Sequence, residues 1–285
     1  MPDIERPDGA VIHYETVGRG YPLLLFAPGA VNSEIGFWEH SAINPLKSFA
    51  DDFMVIGMDQ RHAGASHTAP LSFSYGDVVA DQLAVIDDLG IERAHVWGGC
   101  IGVAYVTRII HDAPQRISAG VGQDPVGLNE TNSLDVFMAM FQPTIDLARS
   151  EGTAAVVQRA LVNPIFILNN DAGPYAHRIK ADPDFRAQIE ALSADQYVAH
   201  VEAFAAGMWP DAPPYFTVTE EWMSTCDTPL MILPGSDHFH PTGIAERICR
   251  ETKQATCLDV NCRSDAKLSS TIETVRAFLK QHTPA

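Results

Sequence analysis

Cations are scarce in this chain: 19 Lys and Arg stand against 36 Asp and Glu in 285 residues, a formal net charge of −17. A surface of that sign repels phosphate backbones and anionic headgroups, which argues against nucleic acid or a membrane as partner. Long apolar runs are missing too. The opening MPDIERPDGAVIHYE holds no stretch that would serve as a signal peptide. No segment approaches the roughly 20 apolar residues of a membrane helix. Cysteines are few and odd in number (Cys100, Cys226, Cys249, Cys257, Cys262), with no Cys-x-x-Cys spacing. Without an export signal, they are expected to be reduced thiols in a cytoplasmic protein, neither a disulfide framework nor a zinc site. Gly-rich phosphate loops, haem motifs and metal-ligand clusters are also missing, so no cofactor or metal is expected. His238-x-His240 beside Asp237 is a weak metal signal. The expected partner is a small-molecule substrate, with a homodimer left open.

What the chain does have is a core. Hydrophobic residues make up 46% of it, and its length suits one large α/β domain or two small ones. VIHYETVG (11–18) alternates like a strand. YPLLLFAPG (21–29), FMVIGMD (53–59), AHVWGGC (94–100), ISAGVGQDP (117–125), PLMILPG (229–235) and ATCLDV (255–260) are apolar runs of the kind found in a parallel sheet covered on both faces. Helical patterns lie between them: Val79, Leu83 and Ile86 fall on one face of a helix, and STIETVRAFLKQH closes the chain. From about 126 to 224 the strand rhythm stops, giving way to helices rich in Phe, Met and Ala. The expected architecture is an α/β core, 1–125 and 225–285, carrying a helical lid at 126–224.

The chemistry centres on HVWGGCIGVAYVTRII (95–110), where an apolar run meets a Gly-x-Cys-x-Gly turn and a helix follows at once. Such a turn forces its central residue into a strained conformation, so its neighbours must be small. A cysteine there sits at the positive end of a helix dipole, which favours a thiolate over a thiol. The bland alternative is a βα turn holding an inert, buried cysteine.

Four stretches in order resemble the α/β-hydrolase superfamily over nearly the whole chain. PLLLFAPGA is similar to its oxyanion loop, with Ala27-Pro28-Gly29 where His-Gly is common. DQRHAGAS (59–66) resembles its Asp-x-Arg-Gly-x-Gly-x-Ser loop, with His62 replacing a glycine. DQLAVIDDLGIERAHVWGGCIG resembles its helix–strand–elbow unit, and LPGSDHFHP (233–241) its acid-bearing loop. The resemblance implies Cys100 as nucleophile, Asp237 as acid and an oxyanion hole of the backbone N–H groups of Ile101 and of Ala30 or its neighbour. Asp124 is a second acid candidate, or a capping aspartate beside Pro125.

One part of that pattern is missing. The family's base follows the last strand, yet NCRSDAKLSS (261–270) contains no histidine. Lys267 and Asp265 lie there but read as surface residues. Of the eleven histidines, His238 and His240 flank Phe239 just beyond Asp237 and rank first as the base. His62 and His40 are further candidates. Without a base, a cysteine elbow suits acyl transfer, lyase or cyclisation chemistry better than hydrolysis, because water needs a general base to attack an acyl-enzyme. The helical insertion offers Phe137, Phe141, Met208 and Trp209 for an apolar chamber, with Trp38, His62 and Asp124 from the core. The expected function is attack by Cys100 on an ester, thioester, lactone or related electrophile of a small to medium apolar substrate. The alternatives are a non-hydrolytic enzyme of the same fold and a lapsed, ligand-binding protein.

Overall fold

The computed structural model describes residues 2–68, 71–212 and 214–285. Its centre is an eight-stranded sheet of β1 (Asp3–Glu5), β2 (Val11–Val17), β3 (Tyr21–Phe26), β4 (Phe53–Met58), β5 (Ala94–Gly99), β6 (Ile117–Gln123), β7 (Leu230–Leu233) and β8 (Ala255–Cys257), in the order β1-β2-β4-β3-β5-β6-β7-β8. β1 and β2 pair antiparallel, as do β2 and β4; every other pair is parallel. Seven of these strands coincide with the sequence reading. β1, Asp-Ile-Glu with only Ile4 buried, has no apolar run or alternation long enough to signal a strand.

The apolar runs have their physical cause in this placement. β5 and β6 are buried along their whole length, so both faces of those strands are mainly apolar, with His95, Ser118 and Gln123 as buried polar exceptions. Alternation then divides the residues between two cores. Leu24, Phe26 and Val96 join the larger core on one face, while Leu23, Leu25 and Trp97 join the smaller one on the other. Helices Tyr75–Asp88 and Gly102–Asp112 cover the first face, and the closing helix Leu268–Gln281 sends Val275 and Leu279 into the second.

Between β6 and β7 the described residues form helices and no strand. The longest, Ala194–Met208, starts on a capping box in which Ser193 and Gln196 satisfy each other's backbone amides. Asn32, in the loop after β3, accepts from the Phe166 amide at 2.8 Å and so ties this segment to the core. Among the described residues no helix is long and apolar enough to cross a membrane.

One expectation is corrected here. Cys249 and Cys257 form a disulfide, with Cα atoms 5.8 Å apart. The helix Thr242–Glu251 packs back against β8 and delivers its last turn to the end of that strand. Sequence spacing of eight residues gave no hint of this, because the pairing depends on a helix reversing onto a strand. The free cysteines are Cys100, Cys226 and Cys262. The expectation of uniformly reduced thiols therefore fails, and with it the cysteine argument for a reducing compartment.

Candidate active site

Cys100 sits between β5 and the helix Gly102–Asp112 with φ 54°. That left-handed conformation is costly for a residue with a Cβ. It is held by the Cys100 N–H, which donates to the Gln123 carbonyl of the neighbouring strand at 2.9 Å, and by the Cys100 carbonyl, which accepts from Val103 at 3.0 Å. Gly98 makes the turn passable: a Cβ there would stand 2.0 Å from the Gly102 carbonyl oxygen. Ile101 precedes the first helical residue, so its N–H has no preceding helical carbonyl to bind. Ala30, also left-handed at φ 53°, opens a short 3₁₀ turn and lines the cavity beside Cys100.

The loop after β7 brings an acid and an imidazole to the same place. Both carboxylate oxygens of Asp237 lie within hydrogen-bond distance of His240 Nδ1, at 2.9 and 2.8 Å. One of them also accepts from the backbone N–H groups of Phe239 and His240, at 2.9 and 3.0 Å. Burial alone would raise the Asp237 carboxyl, but the bond and charge of His240 and these amides hold it below its usual value. His240 Nε2 is buried and has no hydrogen-bond partner. Burial lowers the ring's basicity, but the negative charge and hydrogen-bonding capacity of Cys100, with the Asp237 carboxylate, outweigh it and push the value up to about 10. Gly235 permits this folding, since a Cβ there would meet the His240 carbonyl oxygen at 2.6 Å.

His238, the other candidate of that loop, points elsewhere. It is exposed, its ring packs edge-on against Phe239, and its carbonyl accepts from Asn132 at 2.9 Å. Asn132 also reaches the Phe239 carbonyl at 3.3 Å. This fully buried residue anchors the acid–imidazole loop to the start of the helical segment. It carried no sequence signal, because an asparagine bonding to two distant carbonyls looks like any loop asparagine.

The loop after β8, where the family pattern carries a histidine, supplies Arg263 instead. Its guanidinium pairs with both oxygens of Asp124 and donates to the Pro234 carbonyl at 2.7 Å. Asp124 is therefore engaged with an arginine and leaves the imidazole to Asp237. Lys267 opens the closing helix and pairs with Asp259 at 3.4 Å.

These groups border one cavity of about 1070 Å³ whose lining includes Cys100, Asp124, Asp237, His240 and Arg263. The helical segment contributes an apolar wall with Phe137, Met140, Ile167, Leu168 and Trp209. Phe137 and Trp209 support each other, their ring centroids 4.6 Å apart. Four expected lining residues do not reach it. Trp38 is buried under Gly99 in the smaller core. Phe141 stacks on Phe166 at 4.9 Å, and the Met208 side chain is fully buried. His62 is buried with its ring edge-on to Phe204 and Nε2 3.2 Å from the Ser72 carbonyl. His40, by contrast, does line the cavity.

Residues 22–223 match the profile of the alpha/beta hydrolase fold. The chain belongs to that family. Among curated relatives of this alpha/beta hydrolase, a zearalenone hydrolase of Cladophialophora bantiana is 28% identical over 159 residues, 54% of this chain and 56% of that protein. The dihydrolipoyllysine-residue acetyltransferase component of an acetoin cleaving system from Cupriavidus necator is 25% identical over 176 residues, 61% of this chain and 42% of that protein. The chain thus spans about half the length of the curated relatives it matches. Among solved structures, a thermophilic esterase from Thermogutta terrifontis superposes with a TM-score of 0.65 at 16% identity, over 99% of this chain and 100% of that one. At that identity the likeness concerns the fold.

Proposed function

We propose that this alpha/beta hydrolase cleaves an ester, thioester or lactone through Cys100, with His240 as acid–base and Asp237 as its orienting carboxylate. One observation carries the reading. A single loop places His240, bonded to Asp237 through Nδ1 and unpartnered at Nε2, on the cavity of Cys100. The missing base then has a source outside the loop after β8. The relative named a hydrolase is consistent with this.

In the proposed cycle the Cys100 thiolate attacks the substrate carbonyl carbon. The N–H groups of Ile101 and Ala30 receive the developing oxyanion, each worth about 3 kcal/mol. As the tetrahedral intermediate collapses, the bond to the leaving group breaks and the His240 imidazolium donates its Nε2 proton to it. A thioester on Cys100 and a neutral His240 result. His240 then takes a proton from water, whose oxygen attacks the thioester, and the carboxylic acid leaves as the thiolate–imidazolium pair is restored. Nε2 makes no hydrogen bond in the resting structure, as is common before substrate tightens a site. The residues at 126–224 act in this reading as the lid of a core formed by 1–125 and 225–285, screening the thioester from bulk water.

The test is intact-protein mass during incubation with a panel of activated esters and thioesters. The wild type is expected to release product with little standing adduct. Cys100→Ala is expected to form no adduct and lose turnover. His240→Gln is expected to accumulate an acyl adduct, because deacylation loses its base. Rapid turnover in Cys100→Ala would overturn the assignment.

A further inference from the structure

The cavity above Cys100 has little with which to hold an anion. Among the described residues lining it, Arg263 is the only Lys or Arg, and its guanidinium is taken by Asp124 and the Pro234 carbonyl. His240 is matched by Asp237 and Cys100. That leaves His40 and Glu34, the latter four residues beyond Ala30 and lining the same cavity with its side chain 18% exposed.

Glu34 has one neighbour of note across the gap to the helical segment. Its carboxylate lies 3.3 Å from Nδ1 of His177, carried by the helix Ala176–Ala181. The other ring nitrogen of His177 is buried without a partner. Burial, helped by the nearby charge of Asp59, pushes Glu34 up to about 7, while the Gly64 amide draws it slightly back. His177 is driven below its ordinary value by burial and by Lys180, so near neutrality it stays uncharged and does not cancel a charge on Glu34.

We propose that Glu34 is a specificity-determining residue that receives a protonated amine on the non-reacting part of the substrate, and that the cavity turns anionic substrates away. A carboxylate in a partly buried wall, facing a neutral imidazole and no free cation, gains most from an ammonium group. A substrate carboxylate would meet the opposite condition, with Glu34 and Asp237 on the walls and both Arg263 and His240 already paired. The reaction beside Cys100 rests on the proposed hydrolytic reading, whereas the binding preference does not.

The test is therefore binding, with turnover in parallel. Affinities of 4-phenylbutylamine and 4-phenylbutyrate are measured calorimetrically for wild type and Glu34→Gln at pH 6 and pH 8. The wild type at pH 8 is expected to bind the amine about tenfold more tightly than the carboxylate, a difference of about 1.4 kcal/mol. That preference should shrink at pH 6, as Glu34 takes up a proton, and should nearly vanish at both pH values in Glu34→Gln. His240, held near 10, and Asp237, held below its usual value, keep their charges across this range. Equal affinities in the wild type, or a preference that survives both Glu34→Gln and the drop in pH, would overturn the proposal. Turnover of phenyl esters bearing a terminal ammonium or carboxylate separates the two readings. An intact amine preference without Cys100-dependent hydrolysis sinks only the hydrolase reading. Cys100-dependent hydrolysis with no charge preference sinks only the role of Glu34.

Discussion

At the scale of single residues, two histidines in this protein are shifted in opposite directions, and the signs can be followed to a measurement. His240 is raised from an ordinary 6.5 to about 10. Between those values the folded chain holds a proton that the unfolded chain has released. The resulting stabilisation is complete below about 6.5 and is lost as pH rises through about 10. His62 is lowered to about 3, by burial and by the neighbouring charge of Arg61. There the unfolded chain takes up a proton that the folded chain refuses, so stability falls as pH drops from 6.5 toward 3. Urea unfolding across pH should show both slopes. His240→Gln should flatten the alkaline one and His62→Asn the acid one, asparagine being tolerant of the left-handed backbone that His62 adopts at φ 73°. A variant that leaves its own slope unchanged would remove that histidine from the account.

Between elements, the pair Asp124–Arg263 joins the end of β6 to the loop after β8 across 139 residues of sequence. The side chains are 24% and 14% exposed, so breaking the pair leaves a largely enclosed carboxylate without its cation. Arg263→Met is expected to cost about 3 kcal/mol, the low end for such a loss, and to lower the melting temperature by roughly 6 °C. Adding Asp124→Asn should restore much of it, because the stranded charge is then gone. A melting temperature unchanged in the single variant would show the pair to be dispensable. Element placement also explains why the proposed base carries so little signal in the sequence. The family pattern points to the loop after the last strand, and here that loop spends its charged side chain on Asp124. The imidazole comes from the loop after β7, with its acid three residues away, and only the course of that loop separates His240 from His238.

At the scale of the whole molecule, the disulfide Cys249–Cys257 closes a short loop between the helix Thr242–Glu251 and β8. Loop-closure entropy for so few residues gives a stabilisation of about 2–3 kcal/mol. Reductant should lower the melting temperature by roughly 5 °C, and Cys249→Ser should melt at the reduced value whether or not reductant is present. No difference between the two conditions would mean that the bridge does not form in solution.

What the sequence by itself determined is everything governed by local periodicity. The seven strands from β2 to β8, their alternation with helices and the Gly-x-Cys-x-Gly turn follow from burial on both faces of a sheet and from the steric needs of one turn, each legible within about ten residues. The helical segment after β6 was equally visible as a change of rhythm. Tertiary structure decided what depends on chain segments far apart: His240 over His238, Arg263 in place of a base, Glu34 facing His177, and Cys249 meeting Cys257. It also decided which large side chains line the cavity, placing Phe137 and Trp209 there and burying Trp38, Phe141 and Met208. A hydrophobic pattern states only that a side chain leaves water. Whether it enters the core or the wall of a cavity depends on which loops and helices are stacked against it, and no local stretch of sequence contains that information.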